Sequence, residues 1–429
     1  MEEAAHHARL RLRRERGNRD VAEIANSAVT PRASVKDSVG TRLQTAAASP
    51  DGEAFAPLAA VDASGWLALA ERAVEPNGYY LPGWELAVNA LARGRTDVSA
   101  LGAWSDASSA PDGAAHLIGL MPAISLWRAY RIPLPALVSA HPYGTLCTPL
   151  LDRDRADEAA SSLMQGARKA GAHALILRDV SLNGAVMKAF AAMLQQDGLQ
   201  PRMLQSHLRA CLDATRDAEE LLRDGLGPKK LKELRRQRHR LAEHGAVGFE
   251  VARGPQHVAG ALEIFLTLEA SGWKGQRGTA LLQDDGDAGF IRRATVALAA
   301  TGQCEIVTLR AGTTPVAAAI VLRHQNRAFY FKLGVDERFA KFSPGVQLTI
   351  DLTRYLCADP AIATADSTAS ADHPMINPIW RGRLAIGDVL IPLRQGDPAV
   401  SLVHAALVSR QLVLGLARRG VRAVRAWRR

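Results

Sequence analysis

Three apolar runs joined by short polar connectors constrain this chain more than any other feature. Cys304 to Arg310, Pro315 to Leu322 and Arg327 to Val335 read as strands, and the connectors Ala311 to Thr314 and Arg323 to Asn326 make them antiparallel neighbours. A helix from Pro344 to Cys357 follows, with Leu348, Leu352 and Tyr355 on one stripe, and leads to another apolar run at Ala361 to Ala365. Meander, crossover helix and return strand predict an α/β fold with a mixed sheet.

The rest of the chain extends this pattern. Residues 1–50 mix charge runs with small polar residues, which predicts a disordered N-terminal arm. Between 54 and 214, helices (Trp66 to Ala73, Gly83 to Ala92, Arg155 to Ala170, Gly184 to Gln195) interleave with strands (His116 to Met121, Leu134 to Ser139, Ala174 to Leu177, Ser206 to Cys211). Gly225, Gly227 and Pro228 mark a second beginning, and residues 221–393 again interleave strands with helices. The two stretches have similar lengths, which predicts tandem halves. Residues 398–429 predict a basic C-terminal helix, apolar at Val400, Leu402, Val403, Leu407 and Val408 and rich in arginine at its end.

The net charge of +10 is local rather than general. Lys229 to Arg240 carries seven basic residues against Glu233, and Arg410 to Arg429 carries seven arginines and no acid. These stretches hold +6 and +7, so the remainder nets −3, which argues against a general nucleic-acid-binding body. The four cysteines form no CxxC pair, so neither structural zinc nor a disulfide framework is expected. GxxxxGK[ST], HExxH and GxSxG are absent from the sequence, and Gly225-Leu226-Gly227 lacks the third glycine of a dinucleotide fingerprint. With no apolar run of the length that spans a bilayer and no leader pattern, a cytoplasmic protein is the expectation. The C-terminal helix would allow peripheral contact with anionic lipid at the inner face of the membrane.

The sharpest local signal is KLGVDERFAKFSPGVQL, from Lys332 to Leu348. Ser343 is a favoured N-cap type, Pro344 suits the first helical position, and Gly345 lets backbone come close. Amides at a helix start, with Arg338 and Lys341 just upstream, suit a diphosphate. The bland alternative is an ordinary capped helix with solvated charges. Glu269, which ends a helix before the glycine-rich segment Gly272 to Gly278, is the first candidate for a general base. Asp336 and Asp366, at expected strand ends, are second candidates that equally suit turn and cap roles. His373 could titrate near neutrality, and Trp273 and Lys274 could line an acceptor pocket.

Four stretches together resemble the acyl-CoA half of the GNAT N-acyltransferases, more narrowly the BioF-like or CelD-like acetyltransferases related to the FemABX aminoacyl transferases. They are KKLKELRRQRHRL from Lys229, LEASGWKGQRGTA from Leu268, FYFKLGVDERFAKFSPG from Phe329 and DSTASADHPMINPIW from Asp366. The first half resembles the same family only through EPNGYYLPGW from Glu75. The resemblance implies tandem GNAT-like domains, the first degenerate, and transfer of an acyl group, most simply acetyl, from acyl-CoA to a small-molecule or glycan amine, without a metal. Diphosphate would sit on backbone from Phe342 through Ser343 and Gly345 to Val346, with Arg338 and Lys341 alongside. The thioester carbonyl would meet a backbone N–H of the strand carrying Tyr330 and Lys332, and the pantetheine arm would enter a gap between the strands flanking the Pro344 helix. Two rival readings are a FemABX-like aminoacyl transferase using charged tRNA, which the basic helix suits, and a non-catalytic scaffold in polysaccharide export.

Overall fold

The computed structural model describes residues 54–95, 98–106, 114–141 and 143–427. The expected arm at 1–50 lies outside the described residues. Among those described, the strands are β1 (Phe55–Pro57), β2 (Ser99–Trp104), β3 (Leu117–Ser125), β4 (Ala136–Ser139), β5 (Leu150–Leu151), β6 (Ala174–Ser181), β7 (Arg202–Asp213), β8 (Val247–Ala252), β9 (Cys304–Ala311), β10 (Thr314–His324), β11 (Arg327–Val335), β12 (Thr364–Asp366) and β13 (Gly382–Pro392). They form one sheet in the order β1, β2, β3, β4, β6, β13, β7, β12, β11, β10, β9, β8, with β5 beside β3. Only β4 with β6 and β11 with β12 run parallel. The protein is therefore a mixed α/β fold.

The meander reads as nearly continuous apolar sequence because helices cover both of its faces. Ala318, Ile320 and Leu322 of β10 pack with Val258, Leu262 and Phe265 of the helix Pro255–Ser271 and with Phe290 of the helix Asp285–Ala300. Ala317, Ala319 and Val321 point the other way, onto Leu231 and Leu234 of the helix Ala218–Leu241 and Leu348 and Leu352 of the helix Pro344–Cys357. Gly227, at φ 72°, breaks the helix Ala218–Leu241 directly before Pro228, so the basic segment starts where its proline predicts. In the first half, Leu163 and Phe190 of the helices Ala156–Lys169 and Ala185–Gln196 cover β2, β3 and β6.

The halves share strands. β12 pairs with β7 (Asp366 opposite Cys211), and β13, last of the strands in the chain, lies between β6 and β7. β2 and β13 were not expected from sequence, and β7 is longer than Ser206 to Cys211 at both ends. The expectation that no segment is long and apolar enough to cross a membrane fails for one stretch, Pro398–Ala417, which meets that test of length and composition and opens the helix Pro398–Trp427.

Candidate active site

The site begins where two parallel strands part. β11 pairs with β12 only from Arg327 opposite Thr364 to Phe329 opposite Asp366, although β11 continues to Val335. Beyond Asp366 the chain turns aside at Thr368, whose φ is 50°. The Thr368 hydroxyl donates to the Tyr330 carbonyl at 2.7 Å, replacing the ladder bond that a longer β12 would make. On its other side β11 is bulged. Ile320 faces Lys332 and Val321 faces Tyr330, which leaves Phe331 as the extra residue. A bulge beside a splay interrupts the regular ladder of β11 on both sides at the same place.

A cavity of about 310 Å³ opens here, lined by Phe331, Lys332 and Thr368 from the second half and His141, Tyr143 and Thr145 from the first. The Lys332 ammonium lies 5.8 Å from the ring centres of both Tyr143 and Phe331. It also contacts Glu269 Oε1 at 3.2 Å, and Glu269 Oε2 accepts from Leu281 N at 3.0 Å. Helix Pro255–Ser271 reaches β11 because Gly334 has no side chain: a Cβ there would sit 2.9 Å from Glu269 N. The Glu269 side chain is fully buried and lies behind Lys332, so it meets the cavity through that ammonium. The Tyr143 hydroxyl donates to Asp287 Oδ2 at 3.0 Å, tying the first-half loop to the helix Asp285–Ala300. Burial, with Arg178 and Arg95 nearby, pulls His141 down to about 3, so its imidazole is neutral at physiological pH.

The other two carboxylates are committed elsewhere. Asp366 accepts from Thr368 N at 2.9 Å and from the Arg209 guanidinium, within a fully buried pair. Arg209 in turn donates to the carbonyl of Thr145 at 2.5 Å and to its hydroxyl at 3.1 Å. Asp366 therefore braces the splay through both of its carboxylate oxygens. Asp336 caps Arg338 N at 3.0 Å and takes the Arg338 side chain in a fork of 2.7–3.1 Å, which holds its carboxyl below the usual range. Both lie outside the lining of the 310 Å³ cavity; Asp336 and Arg338 instead line a groove of about 560 Å³ with Glu263, Thr267 and Ser271. His373 Nδ1 accepts from Ile376 N at 3.4 Å, at the start of the short helix Ile376–Ile379. The side chains of Trp273 and Lys274 lie outside the described residues.

At the Pro344 helix, the expected cap is absent. Ser343 is left-handed (φ 52°, ψ 53°) and its side chain makes no cap hydrogen bond to the opening amides of the helix. Gly345 is demanded by packing: a Cβ there would lie 2.9 Å from Leu333 Cδ2 and 3.2 Å from Val335 Cγ1. Phe342 is buried, with Lys341 Nζ 4.8 Å and Arg240 Cζ 5.9 Å from its ring centre. Two cations, one of them on the basic helix, thus stand at this helix start. Tyr330 turns into the core, where its hydroxyl meets Thr349 Oγ1 at 3.1 Å.

His141, Tyr143, Thr145, Arg209 and Thr368 escaped the sequence reading. The proline- and glycine-containing loop from His141 to Thr148 was the one local hint for the first three.

Residues 228–373 match the family model described as an acetyltransferase (GNAT) domain. No curated protein matches the sequence at a significant level. The crystal structure of FemX is similar in fold, at TM-score 0.51 and 11% identity over 80% of this chain and 98% of that one. Also similar are the C-terminal domain of a putative lysylphosphatidylglycerol synthetase from Agrobacterium fabrum (TM-score 0.47, 12% identity, 81% and 96% covered) and a tandem GNAT protein from the clavulanic acid biosynthesis pathway (TM-score 0.39, 14%, 80% and 99%). The match over residues 228–373 supports a GNAT acetyltransferase domain there and, by class, an N-acyltransferase.

Proposed function

We propose that the protein moves an acyl group, acetyl first among them, from acyl-CoA to a small-molecule or glycan amine seated in the His141–Lys332 cavity. The observation that carries this reading is the parting of β11 from β12 after Phe329, with the Phe331 bulge beside it. A pantetheine arm entering that gap would bring its thioester carbonyl to the main chain of β11. The amine nitrogen bonds to that carbonyl carbon, a backbone N–H near Phe331 takes hydrogen-bonded charge from the developing oxyanion, and the C–S bond breaks to release CoA thiolate. One such donor is worth roughly 10²- to 10³-fold in rate. Glu269 is the base of this reading, receiving the amine proton through a bridging water beside Lys332. Diphosphate would lie on the Gly345 and Val346 amides between Lys341 and Arg240.

On this reading residues 54–214 and 221–393 are two GNAT-like halves, the first shaping the acceptor side and the second holding the donor. The reaction would take place in the cytoplasm, in polysaccharide or cell-envelope metabolism. Isothermal calorimetry with acetyl-CoA tests the donor: micromolar-range binding, with a raised melting temperature, is expected, and no heat and no shift would sink the assignment.

A second reading rests on the exposed residues Lys229, Lys230, Lys232, Arg235, Arg236 and Arg240 of the basic helix. They suit a polyphosphate backbone and thus charged tRNA as an aminoacyl donor. Binding of charged tRNA that weakens steeply with salt, in a protein indifferent to acyl-CoA, would favour it.

A further inference from the structure

Among the described residues, the helix Pro398–Trp427 is docked near its start. Val400, Val403 and Leu407 are buried and pack with Leu126, Val138, Ile176 and Leu390. No residue from 408 to 417 is buried, while Leu402, Leu412, Val413 and Leu416 are between 59% and 65% exposed. At 3.6 residues per turn these four share an arc of roughly 100° on the side away from the docked residues. The ring of Tyr130 lies 4.4 Å from Arg410 Cζ and belongs to the short helix Leu126–Tyr130, which exposes Trp127 by 50%.

Charge decides what covers this stripe. The segment from Arg410 to Arg429 holds seven arginines and no acidic residue, and the chain outside it and outside Lys229–Arg240 nets −3. Two such segments would repel one another, which disfavours a second copy of the chain. An anionic bilayer answers both features at once, apolar side chains entering the acyl boundary and guanidinium groups meeting headgroups.

The docking of its first turns argues against spanning. The first turns are held in the protein core, and the ten residues from 408 to 417 extend roughly 15 Å, half the ~30 Å of a hydrocarbon core. Beyond them the sequence brings Arg418, Arg419, Arg422 and Arg425. We propose that the part of this helix beyond Leu407 lies in the headgroup layer of an anionic membrane, with Leu412, Val413 and Leu416 turned into it.

This proposal stands independently of the transfer reaction, and its test reads no activity. The full chain and the variant Leu412→Glu/Leu416→Glu, both positions being surface-exposed, are sedimented with vesicles of phosphatidylcholine alone and of phosphatidylcholine mixed with phosphatidylglycerol, with circular dichroism confirming the fold. The native chain should pellet with the mixed vesicles only, high salt should release it, and the variant should bind roughly tenfold more weakly or worse. Equal binding by the variant, no binding by the native chain, or retention after a high-salt and alkaline wash, which would mean a spanning helix, overturns the proposal. So would a dimer in light scattering that the same variant dissociates.

Discussion

Arg209 of β7 and Asp366 of β12 form an ion pair in which neither side chain is more than 1% exposed. Arg209 also reaches both oxygens of Thr145, and Asp366 holds the amide of Thr368. Two cavity-lining residues from different halves thus hang on one buried pair, while Arg209 Nε finds no partner among the described residues. Such pairs cost desolvation energy and contribute little net stability, but a surviving lone partner is expensive. Arg209→Ala should lose about 3–5 kcal/mol in urea denaturation. Arg209→Met with Asp366→Leu should recover most of that stability yet stay poor in turnover, because Thr145 and Thr368 lose their anchors. Full activity in the refolded double variant would show that the pair does not position the cavity.

Glu269 separates a chemical role from a structural one. Glu269→Gln keeps an acceptor for Leu281 N and removes the charge that faces Lys332. If the carboxylate takes the amine proton, kcat should fall by about 10²- to 10⁴-fold with the acyl-donor KM nearly unchanged. Steady-state kinetics at saturating donor reads the split. A variant that loses melting temperature but keeps kcat would make Glu269 a packing partner of Lys332 only.

The meander and the Pro344 helix were legible because their signals are local: nearly continuous apolar runs, short connectors and a proline at the first helical position. β13 was not, since Gly387 and Asp388 sit inside it and read as a turn. The structure uses Asp388 to accept from Asp179 N and Gln205 Nε2, so a polar residue lies inside a central strand with its partners supplied by distant sequence. Arg209 failed to stand out for the same reason. In a strand it reads as surface, and only the fold brings Asp366, 157 residues away, against it. Ser343 is a cap-type residue in the right place, but its backbone is left-handed and its side chain makes no cap hydrogen bond.

His324 predicts how the protein answers acid. Its Nδ1 accepts from Asn77 N at 2.8 Å and its Nε2–H donates to Ala70 O at 2.9 Å, so the neutral ring bridges β10 to the first half. Burial lowers it from 6.5 to about 4. The stability it contributes is full above pH 6.5 and is lost as pH falls through about 4, on the order of 3 kcal/mol. Glu85 works in the opposite sense. Burial raises it to about 7 despite Arg95, so its contribution is present below the ordinary 4.5 and fades as pH rises through 7. The two spans overlap with opposite sign, so in the native chain they nearly cancel and chemical denaturation should show little pH dependence from this pair between about 4.5 and 6.5. His324→Gln should leave stability falling as pH rises toward 7, and Glu85→Gln should leave it falling as pH drops toward 4; profiles unchanged in both variants would assign the pH response to other groups.

The start of the Pro344 helix can be probed by two substitutions that act differently. Gly345→Ala would force a Cβ to 2.9 Å from Leu333 and should destabilise by about 1–3 kcal/mol through overpacking. Lys341→Ala touches an exposed side chain lying over Phe342, so stability should hold. If a diphosphate sits on the Gly345 and Val346 amides, Lys341→Ala should weaken acyl-CoA binding several-fold at low salt and less at high salt, because a screened charge contact is what has been removed. Titration calorimetry at two ionic strengths reads this directly. The same affinity in Lys341→Ala and in Arg240→Ala would move the diphosphate away from this helix, toward the groove beside Arg338.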